Sequence, residues 1–360
     1  MIETYLYNEA NPKFTLKRYF HRGYHIHEDN RYDNIHRYLK KYKDTKQKVC
    51  LIINDSYILP CMELIFREKL TSKYEHIIVY MPEAYWDTFN DSKTLQNKID
   101  KIDDSEKITI IFNFFCDSPF DLKNINYITT VGCFGSITKL YLNRYKFKSL
   151  KENYNNIKYN VISKFGRPSG EKLFVYEKVK DFDNFIYSIN SADKVSYSDV
   201  GNNVVVKKFP SEINAKRNFR STTLPMEDFQ SASEIVVETR FSTFEDGKRL
   251  VTNTEKTLKG FMFKRPLFLF AQPESYPYLK QYGFKFPKFF GYDGGNATIY
   301  GEELKTELFN MIEKVCNMNT SDLLDMCIEE EDVWEHNYDN LHSFIELHDS
   351  RIENVFKKVI

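Results

Sequence analysis

The chain lacks three features that would assign it to a protein class at once: a net charge, a long apolar run and paired cysteines. Its 51 Lys and Arg residues balance 51 Asp and Glu residues, which gives a formal net charge of zero. A simple histone-like polycation is therefore excluded. Binding to nucleic acid is not excluded, because it depends on where the charges lie rather than on their sum.

No apolar run reaches the length of a membrane-spanning helix, and the longest, at 108–116, has the length of a strand. The N-terminus has no basic region followed by an apolar stretch, so we expect no signal peptide. The cysteines, at positions 50, 61, 116, 133, 316 and 327, form no C-x-x-C pair. Several lie in apolar runs, which is typical of reduced, buried thiols. We therefore expect a soluble cytoplasmic protein without a membrane partner.

Hydrophobic residues make up 42% of the 360 residues and aromatic residues 16%, which is enough for extensive cores. In the first half of the chain, apolar runs rich in β-branched residues alternate with polar segments of helical spacing. These runs are KVCLIIN (48–54), HIIVYM (76–81), KITIIFNFF (107–115) and YITTVGCFG (127–135). The alternation predicts a parallel sheet that is covered by helices on both faces.

A second series of the same kind begins near residue 160. Its runs are YNVISKFG (159–166), VVVKKFP (204–210), SEIVVET (233–239) and RPLFLFA (265–271). The two series predict an α/β fold with two Rossmann-like lobes, whose parallel sheets face a central cleft. We place the N-terminal lobe at 1–158 and the C-terminal lobe at 159–335. A helix at 336–360 is expected to pack back toward the N-terminal lobe.

The segment 234–290 has the pattern of a ligand site. After a strand ending at Glu238 and Thr239, a polar loop leads to Thr254, Glu255 and Lys256, which begin a predicted helix. The free N–H groups of a helix start, with the charge of Lys256, favour an anion such as a diphosphate. Glu255 can accept hydrogen bonds from a ribose diol. The same pattern is also typical of an ordinary helix whose first-turn Glu and Lys side chains are solvated.

This segment resembles the C-terminal lobe of GT-B glycosyltransferases, in particular a group of phage-encoded glycosyltransferase-like proteins. The shared pattern is V-x-E-T, T-E-K-T, a strand containing Pro and Phe, and L-x-x-x-G-F, found here at 236–239, 254–257, 265–268 and 279–284. The V-T-E-K part is also similar to the donor motif of the α-1,3-fucosyltransferases. The resemblance covers residues 160–345, including WEHNYDNL at 334–341.

The resemblance implies a sugar nucleotide, such as a UDP- or GDP-sugar, as co-substrate and no further cofactor. Glu255 would bind the ribose and Lys256 the phosphates, at the helix start marked by Thr254. Glu238 and Thr239 would contact the sugar or the nucleotide.

Two departures from the family pattern affect this ligand set. The family has a basic N-R-x-x-R-x-H-R-like stretch, but this chain has SKFGRP at 163–168. Arg167 and Lys164 are therefore the candidates for a second phosphate contact. The acidic stretch that follows G-F-K-T-F in the family is reduced here to residues 291–293.

An inverting glycosyltransferase needs a group that takes the proton of the acceptor hydroxyl, while a positive cleft stabilises the leaving diphosphate. In the two-lobed fold, the resemblance implies that this base comes from the N-terminal lobe. Asp55 and then Asp117, each after an apolar run, are the catalytic candidates, with Glu83 behind them. Each is also a typical helix N-cap or turn residue.

His25 and His27 alternate along one stretch and are followed by Glu28 and Asp29, which is the one pattern that suggests a metal. Glu28 or Asp29 could complete a metal site, but without a third well-spaced ligand the pattern favours a surface or acceptor-side cluster. No Asp-x-Asp motif follows a predicted strand either. We therefore expect no bound metal and a metal-independent reaction.

Charge is distributed unevenly along the chain. Basic residues far outnumber acidic ones in 13–48 and 139–180, where Tyr and Phe are interleaved, whereas 321–350 contains many acidic residues and no Lys or Arg. The basic segments suit a phosphate backbone with aromatic contacts to bases, and they equally suit solvated helix faces.

With the phage-type resemblance, this distribution implies DNA as the partner that binds to the two basic segments. The acceptor would be a hydroxymethylated pyrimidine, such as 5-hydroxymethylcytosine, flipped out of phage DNA in the host cytoplasm. A glycan or protein acceptor is one alternative. A non-catalytic protein that binds sugar nucleotides is the other.

Overall fold

The structure is a computed structural model, and it describes residues 2–7, 33–42, 44–54, 58–81, 92–113, 121–166, 170–189, 224, 226–238, 254–271, 275–286 and 302–359. The chain is α/β, and its strands form two parallel sheets. It divides into two compact units. Unit 1 contains the described residues up to 139 and those from 344 onward, and unit 2 contains those from 140 to 343. The division falls at residues 139 and 140, whereas the expected boundary was at 158.

The sheet of unit 1 has the strand order β1-β2-β3-β4-β5, and all neighbours are parallel. Its strands are β1 (Ile2–Tyr7), β2 (Val49–Asn54), β3 (His76–Met81), β4 (Ile108–Asn113) and β5 (Asn126–Thr130). The helices between and after them are α1 (Asp33–Lys41), α2 (Ile58–Arg67), α3 (Leu70–Lys73), α4 (Ser92–Ile99) and α5 (Gly132–Arg144). The strands β2 to β5 match the apolar runs of the sequence. The apolar runs do not predict β1, which among the described strands pairs with β2 alone.

Both faces of this sheet are covered, as its continuous apolar strands predict. Leu51 and Ile53 of β2 lie in a core cluster with Ile35 of α1 and with Ile352 and Phe356, which are near the end of the chain. Side chains alternate between the faces of a strand. The intervening residues Cys50 and Ile52 are also fully buried, so the opposite face is covered as well.

The sheet of unit 2 has the order β7-β6-β8-β9 and is also fully parallel. Its strands are β6 (Tyr159–Gly166), β7 (Phe185–Ile189), β8 (Ser231–Val237) and β9 (Leu267–Phe270). Its helices are α6 (Leu150–Asn153), α7 (Gly170–Val179), α8 (Glu255–Met262), α9 (Ser275–Gln281), α10 (Glu302–Cys316) and α11 (Thr320–Glu329). The strand order reverses at β6, because β7 pairs with one side of it and β8 with the other. The run pattern does not predict β7, and the run at 204–210 lies outside the described residues.

The last helix, α12 (Glu331–Val359), contributes to both units. Its residues up to 343 belong to unit 2, and its residues from 344 belong to unit 1. The ring of Phe356 stacks on the ring of Tyr38, with centroids 5.2 Å apart. The final turns of α12 thus form part of the core of unit 1. The helix starts at Glu331, five residues before the expected start at 336.

Candidate functional site

The start of α8 lies at the carboxyl edge of the second sheet. β8 ends at Val237, Glu238 follows it, and Thr254 is the N-cap of α8. β8 is the neighbour of β6, at which the strand order reverses. In open parallel sheets, ligands bind beyond the carboxyl ends of the strands at such a reversal. The topology thus favours a ligand at this helix start.

Glu238 fixes α8 to the end of β8. Its carboxylate is fully buried, and Oε1 accepts hydrogen bonds from the Thr254 N–H at 2.9 Å, the Thr257 N–H at 3.2 Å and the Thr257 hydroxyl at 2.6 Å. The other oxygen, Oε2, accepts from the Thr254 hydroxyl at 2.7 Å. A carboxylate at a helix start is stabilised by the helix dipole and by these donors. Glu238 therefore positions the helix instead of presenting its oxygens to a ligand.

This arrangement changes the expectation that the first N–H groups of α8 are free for a phosphate. The Thr257 N–H donates to Glu238, and the Lys256 N–H donates to the Thr254 hydroxyl oxygen at 3.3 Å. The expectation is wrong for these groups, because a protein carboxylate and the N-cap already satisfy them. An anionic ligand at this helix start therefore cannot use the N–H groups of Lys256 and Thr257.

Glu255 and Lys256 provide side chains of opposite charge at the helix start. The Lys256 Nζ lies 2.9 Å from the Thr254 hydroxyl oxygen and 3.8 Å from Glu255 Oε1 and from Glu238 Oε2. Burial would raise the pKa of Glu255, but Lys256 and Lys259 outweigh that effect and lower the pKa to about 2. Both side chains keep 20% of their surface exposed. They can therefore contact a ligand, and Glu255 does so as a charged acceptor.

Lys259 is a cation that the motif analysis missed. It lies one turn after Glu255 on the same face of α8, and its Nζ sits 4.9 Å from the ring centre of Tyr141. Within the described residues its ammonium group has no hydrogen bond and no ion pair. Burial lowers the pKa of Lys259, and Glu255 opposes this shift. The Glu-x-x-x-Lys spacing was the available sequence signal, since residues four apart share a helix face.

Lys164, a candidate for the second phosphate contact, is neutralised inside unit 2. Its Nζ lies 2.5 Å from Asp228 Oδ1 and 3.1 Å from Glu234 Oε1. Arg265 forms a further ion pair with Glu234 at 2.6 Å. Facing two cations, Glu234 has a lowered pKa despite its burial, whereas burial together with the charge of Glu234 raises the pKa of Asp228. Lys164 is thus already paired with two carboxylates, although 27% of its side chain stays exposed, and its role as a phosphate contact stays a prediction.

Other residues of the sequence pattern have structural roles. The Phe284 N–H donates to the Leu279 carbonyl at 3.0 Å and the Gly283 N–H to the Lys280 carbonyl at 2.9 Å, which closes the end of α9 in a Schellman motif. The ring of Phe284 stacks on Phe261 of α8, with centroids 4.3 Å apart. The L-x-x-x-G-F element therefore ends α9 and packs against the helix that carries Glu255.

Several predicted site residues lie outside the described residues. They are Asp55, Asp117 and Glu83 (the candidate bases), Thr239 and Arg167 (the candidate donor contacts), and His25, His27, Glu28 and Asp29. Their assignments stay predictions. Of the basic segment 13–48, residues 13–32 and 43 also lie outside the described ranges.

The basic segment 139–180 is described except for 167–169, and most of its cations face solvent. The exposed ones are Arg144, Lys146, Lys148, Lys151, Lys158 and Lys178. By contrast, Lys172 is only 5% exposed, and Lys164, with 27% of its side chain exposed, pairs with Asp228 and Glu234. Most of the described cations of this segment are thus solvated.

Among the described residues, no group of three or more His, Cys, Asp or Glu side chains is placed to hold a metal ion. No helix in the described ranges is both long enough and apolar enough to cross a membrane.

The start of α8 thus brings together three predicted residues, Thr254, Glu255 and Lys256, with Lys259, which was not predicted. No protein-family model, curated protein or solved structure matches the chain.

Proposed function

We propose that the protein is a GT-B glycosyltransferase of phage type that binds a sugar nucleotide in unit 2. The observation that supports this most is the cluster of Glu255, Lys256 and Lys259 at the start of α8. Two cations and an ionised carboxylate lie there beside the strand reversal. This is the set of charges that a diphosphate and a ribose diol require.

In this proposal, Lys256 binds the phosphates and stabilises the negative charge that develops on the leaving nucleoside diphosphate. Lys259 supplies a second cation in place of the expected Lys164, and Arg167 is a further candidate. Glu255, with a pKa of about 2, stays ionised at neutral pH and accepts hydrogen bonds from the ribose hydroxyls. Glu238 holds the helix in place.

The transfer itself is proposed to be inverting and independent of metal. A carboxylate of the N-terminal half, Asp55 or Asp117, takes the proton of the acceptor hydroxyl as that oxygen attacks the sugar. The bond between the sugar and the diphosphate breaks, and the diphosphate leaves with the electron pair. The proposed acceptor is 5-hydroxymethylcytosine or a related pyrimidine in DNA, a choice supported by the exposed cations of 139–180.

Titration calorimetry with a panel of UDP- and GDP-sugars tests the donor site. We expect one of them to bind, and we expect Lys256→Ala to weaken that binding by roughly tenfold or more, because a charge-assisted contact is lost. Lys178→Ala, a change at an exposed cation of α7, is the matched control and should bind normally. Normal binding by Lys256→Ala would rule out this assignment.

A second assay addresses the acceptor. The chain is incubated with hydroxymethylcytosine DNA and mixed sugar nucleotides, and the nucleosides are then analysed by mass spectrometry. A nucleoside heavier by one sugar supports the DNA acceptor. Hydrolysis of the donor without DNA modification would favour a glycan or protein acceptor, and donor binding without turnover would favour a non-catalytic binding protein.

A further inference from the structure

The first helix and the last turns of the chain lie side by side on unit 1. Arg37 of α1 pairs with Asp349 of α12 at 3.3 Å, and Lys41 pairs with Glu353. The partners on each helix are four residues apart, about one turn, so the two helices run parallel and in step. The end of α1 therefore lies beside the final turns of α12.

The two helix ends and the turn that follows α1 carry many exposed cations. Because α1 connects the parallel strands β1 and β2, it ends at the sheet edge where β2 begins, and the turn before β2 lies at that edge as well. We call the exposed cations of this region the α1–α12 surface. They are Arg37, Lys40, Lys41, Lys46, Lys357 and Lys358.

Negative charge compensates only part of these cations. Glu353 is shared, since Lys41 and Lys357 pair with the same carboxylate oxygen. The carbonyl ends of the two helices add about one negative charge in total. The carboxylates on the described part of the two helices and the turn are Asp44, Asp349 and Glu353, half as many as the cations. The surface therefore keeps an excess of positive charge. Three of its cations form no ion pair within the described ranges: Lys40, Lys46 and Lys358.

The aromatic side chains of this region are used for packing. Tyr38 is buried against Phe356, and the half-buried Tyr42 stacks on the same ring, with centroids 6.1 Å apart. The described residues thus offer no fully exposed ring here on which an unpaired base could stack, which argues against a single strand. They also add no large exposed apolar side chain to this surface for insertion into a membrane. The phosphates of a duplex are the partner that such cations attract.

We propose that the α1–α12 surface binds the phosphate backbone of double-stranded DNA, independently of the base sequence. Its cations contact phosphate oxygens and release the counterions of the duplex. The choice of DNA rests on the proposed function, in which DNA carries the acceptor. The surface adds a binding face on unit 1 to the exposed cations of 139–180. It includes Lys357 and Lys358, which lie outside both basic segments of the sequence.

The test measures binding of the full chain to a labelled, unmodified DNA duplex by fluorescence anisotropy at stepwise salt concentrations, without a sugar nucleotide. We expect binding that weakens steeply with salt. Lys357→Glu combined with Lys358→Glu should weaken it on the order of tenfold at low salt and flatten the salt dependence, because phosphate contacts are lost. Lys40→Glu combined with Lys46→Glu should do the same. The matched control is Lys101→Glu with Lys123→Glu, which makes the same charge change at exposed cations of unit 1 outside this surface and should bind normally.

The outcomes separate this surface from the donor site. Lys256→Ala should bind the duplex normally, and a chain that binds DNA with this variant pattern but transfers no sugar would support the surface and contradict the proposed function. Unchanged DNA binding in both lysine pairs, an equal loss in the control pair, equally tight binding of single-stranded DNA, or absence of binding at low salt would overturn the proposal. Sedimentation with phosphatidylserine vesicles that depends on the same lysines, without DNA binding, would assign the surface to a membrane and overturn it as well.

Discussion

Among single residues, Glu238 matters most to the candidate site, because its carboxylate holds the start of α8. It pairs with both Thr254 and Thr257, so it sets where α8 begins and which face Glu255 and Lys256 present. A carboxylate that accepts several donors in a buried position is hard to replace, since an amide of the same shape loses acceptor capacity and charge.

Glu238→Gln should therefore lower the free energy of unfolding by about 2 kcal/mol, because hydrogen bonds to a charged group are the stronger kind. Urea denaturation followed by circular dichroism measures this change. Glu177→Gln is the control, since its side chain is 58% exposed and its ion pair with Lys180 contributes little. Equal stability of the two variants would contradict the anchoring role.

The lowered pKa of Glu255 predicts that the stability of the fold depends on pH. Its pKa is about 2 in the folded chain and ordinarily 4.5, so its ionised form stabilises the fold at pH values above 4.5. That contribution is lost as the pH falls from 4.5 toward 2. Glu255→Gln should therefore flatten the fall of the unfolding free energy over this range, measured by urea denaturation at stepwise pH. An unchanged slope would show that Lys256 and Lys259 do not stabilise the carboxylate.

Sequence patterns predicted a helix start at Asn253 or Thr254 with Glu255 and Lys256 in the first turn, because capping is a local property of a helix. They did not predict that Glu238 satisfies the N–H group of Thr257, 19 residues later in the chain. That contact exists only once β8 and α8 are in place. They also did not predict that Lys164 pairs with Asp228 and Glu234, which are distant in sequence.

At the scale of elements, the end of α9 supports the helix of the site. Gly283 has a positive φ of 87°, and the following Phe284 stacks on Phe261 of α8. Left-handed backbone is costly for any residue with a Cβ. The glycine of the L-x-x-x-G-F pattern is thus explained by backbone geometry, and the phenylalanine by packing.

Gly283→Ala should lower the free energy of unfolding by about 1–2 kcal/mol through this strain. An added Cβ would also lie 3.1 Å from Asn340 Oδ1. Gly260→Ala is the control in the same unit, because Gly260 does not have a positive φ and alanine favours a helix. Its Cβ would come within 2.6 Å of Cδ1 of Leu267, the end of a half-buried side chain that can turn away. The effect of Gly260→Ala should stay within about 1 kcal/mol. Thermal unfolding measures the stability of the two variants. An equal loss of unfolding free energy in both would contradict the role of the positive φ at Gly283.

Long apolar runs predicted β2 to β6, β8 and β9, because strands buried on both faces of a parallel sheet are apolar throughout. The strands β1 and β7 were missed, since polar residues such as Glu3 and Ser188 interrupt their runs. Both are edge strands of the described sheets, and so are β5 and β9, whose apolar runs are long enough to be recognised. The apolar runs do not reveal the order of the strands in each sheet, because that order is set by contacts between segments that are distant in sequence.

At the scale of the whole molecule, a residue near the end of the chain completes the core of unit 1. Phe356→Ala should destabilise that unit by about 3–5 kcal/mol, since a large buried ring is removed. Hydrogen exchange read by mass spectrometry should show faster exchange in β2 and β3. The strands β6 and β8 should keep their protection, because the packing partners of Phe356 belong to unit 1.

Leu347→Ala is the control on the same helix, since Leu347 is 43% exposed. It should leave exchange in both sheets unchanged. Equal loss of protection in β2 and β6 of the Phe356→Ala variant would show that the two units do not unfold separately.

The division of α12 between the two units also sets the order in which the protein can fold during translation. The strands of unit 1 are synthesised first, but Ile352 and Phe356, which fill their core, leave the ribosome after every strand of both sheets. Domains generally fold as units as they emerge. Unit 2 has all its strands and helices from α6 to α11 earlier, so we expect it to fold first. The sheet of unit 1 would then keep apolar surface exposed until Ile352 and Phe356 are synthesised.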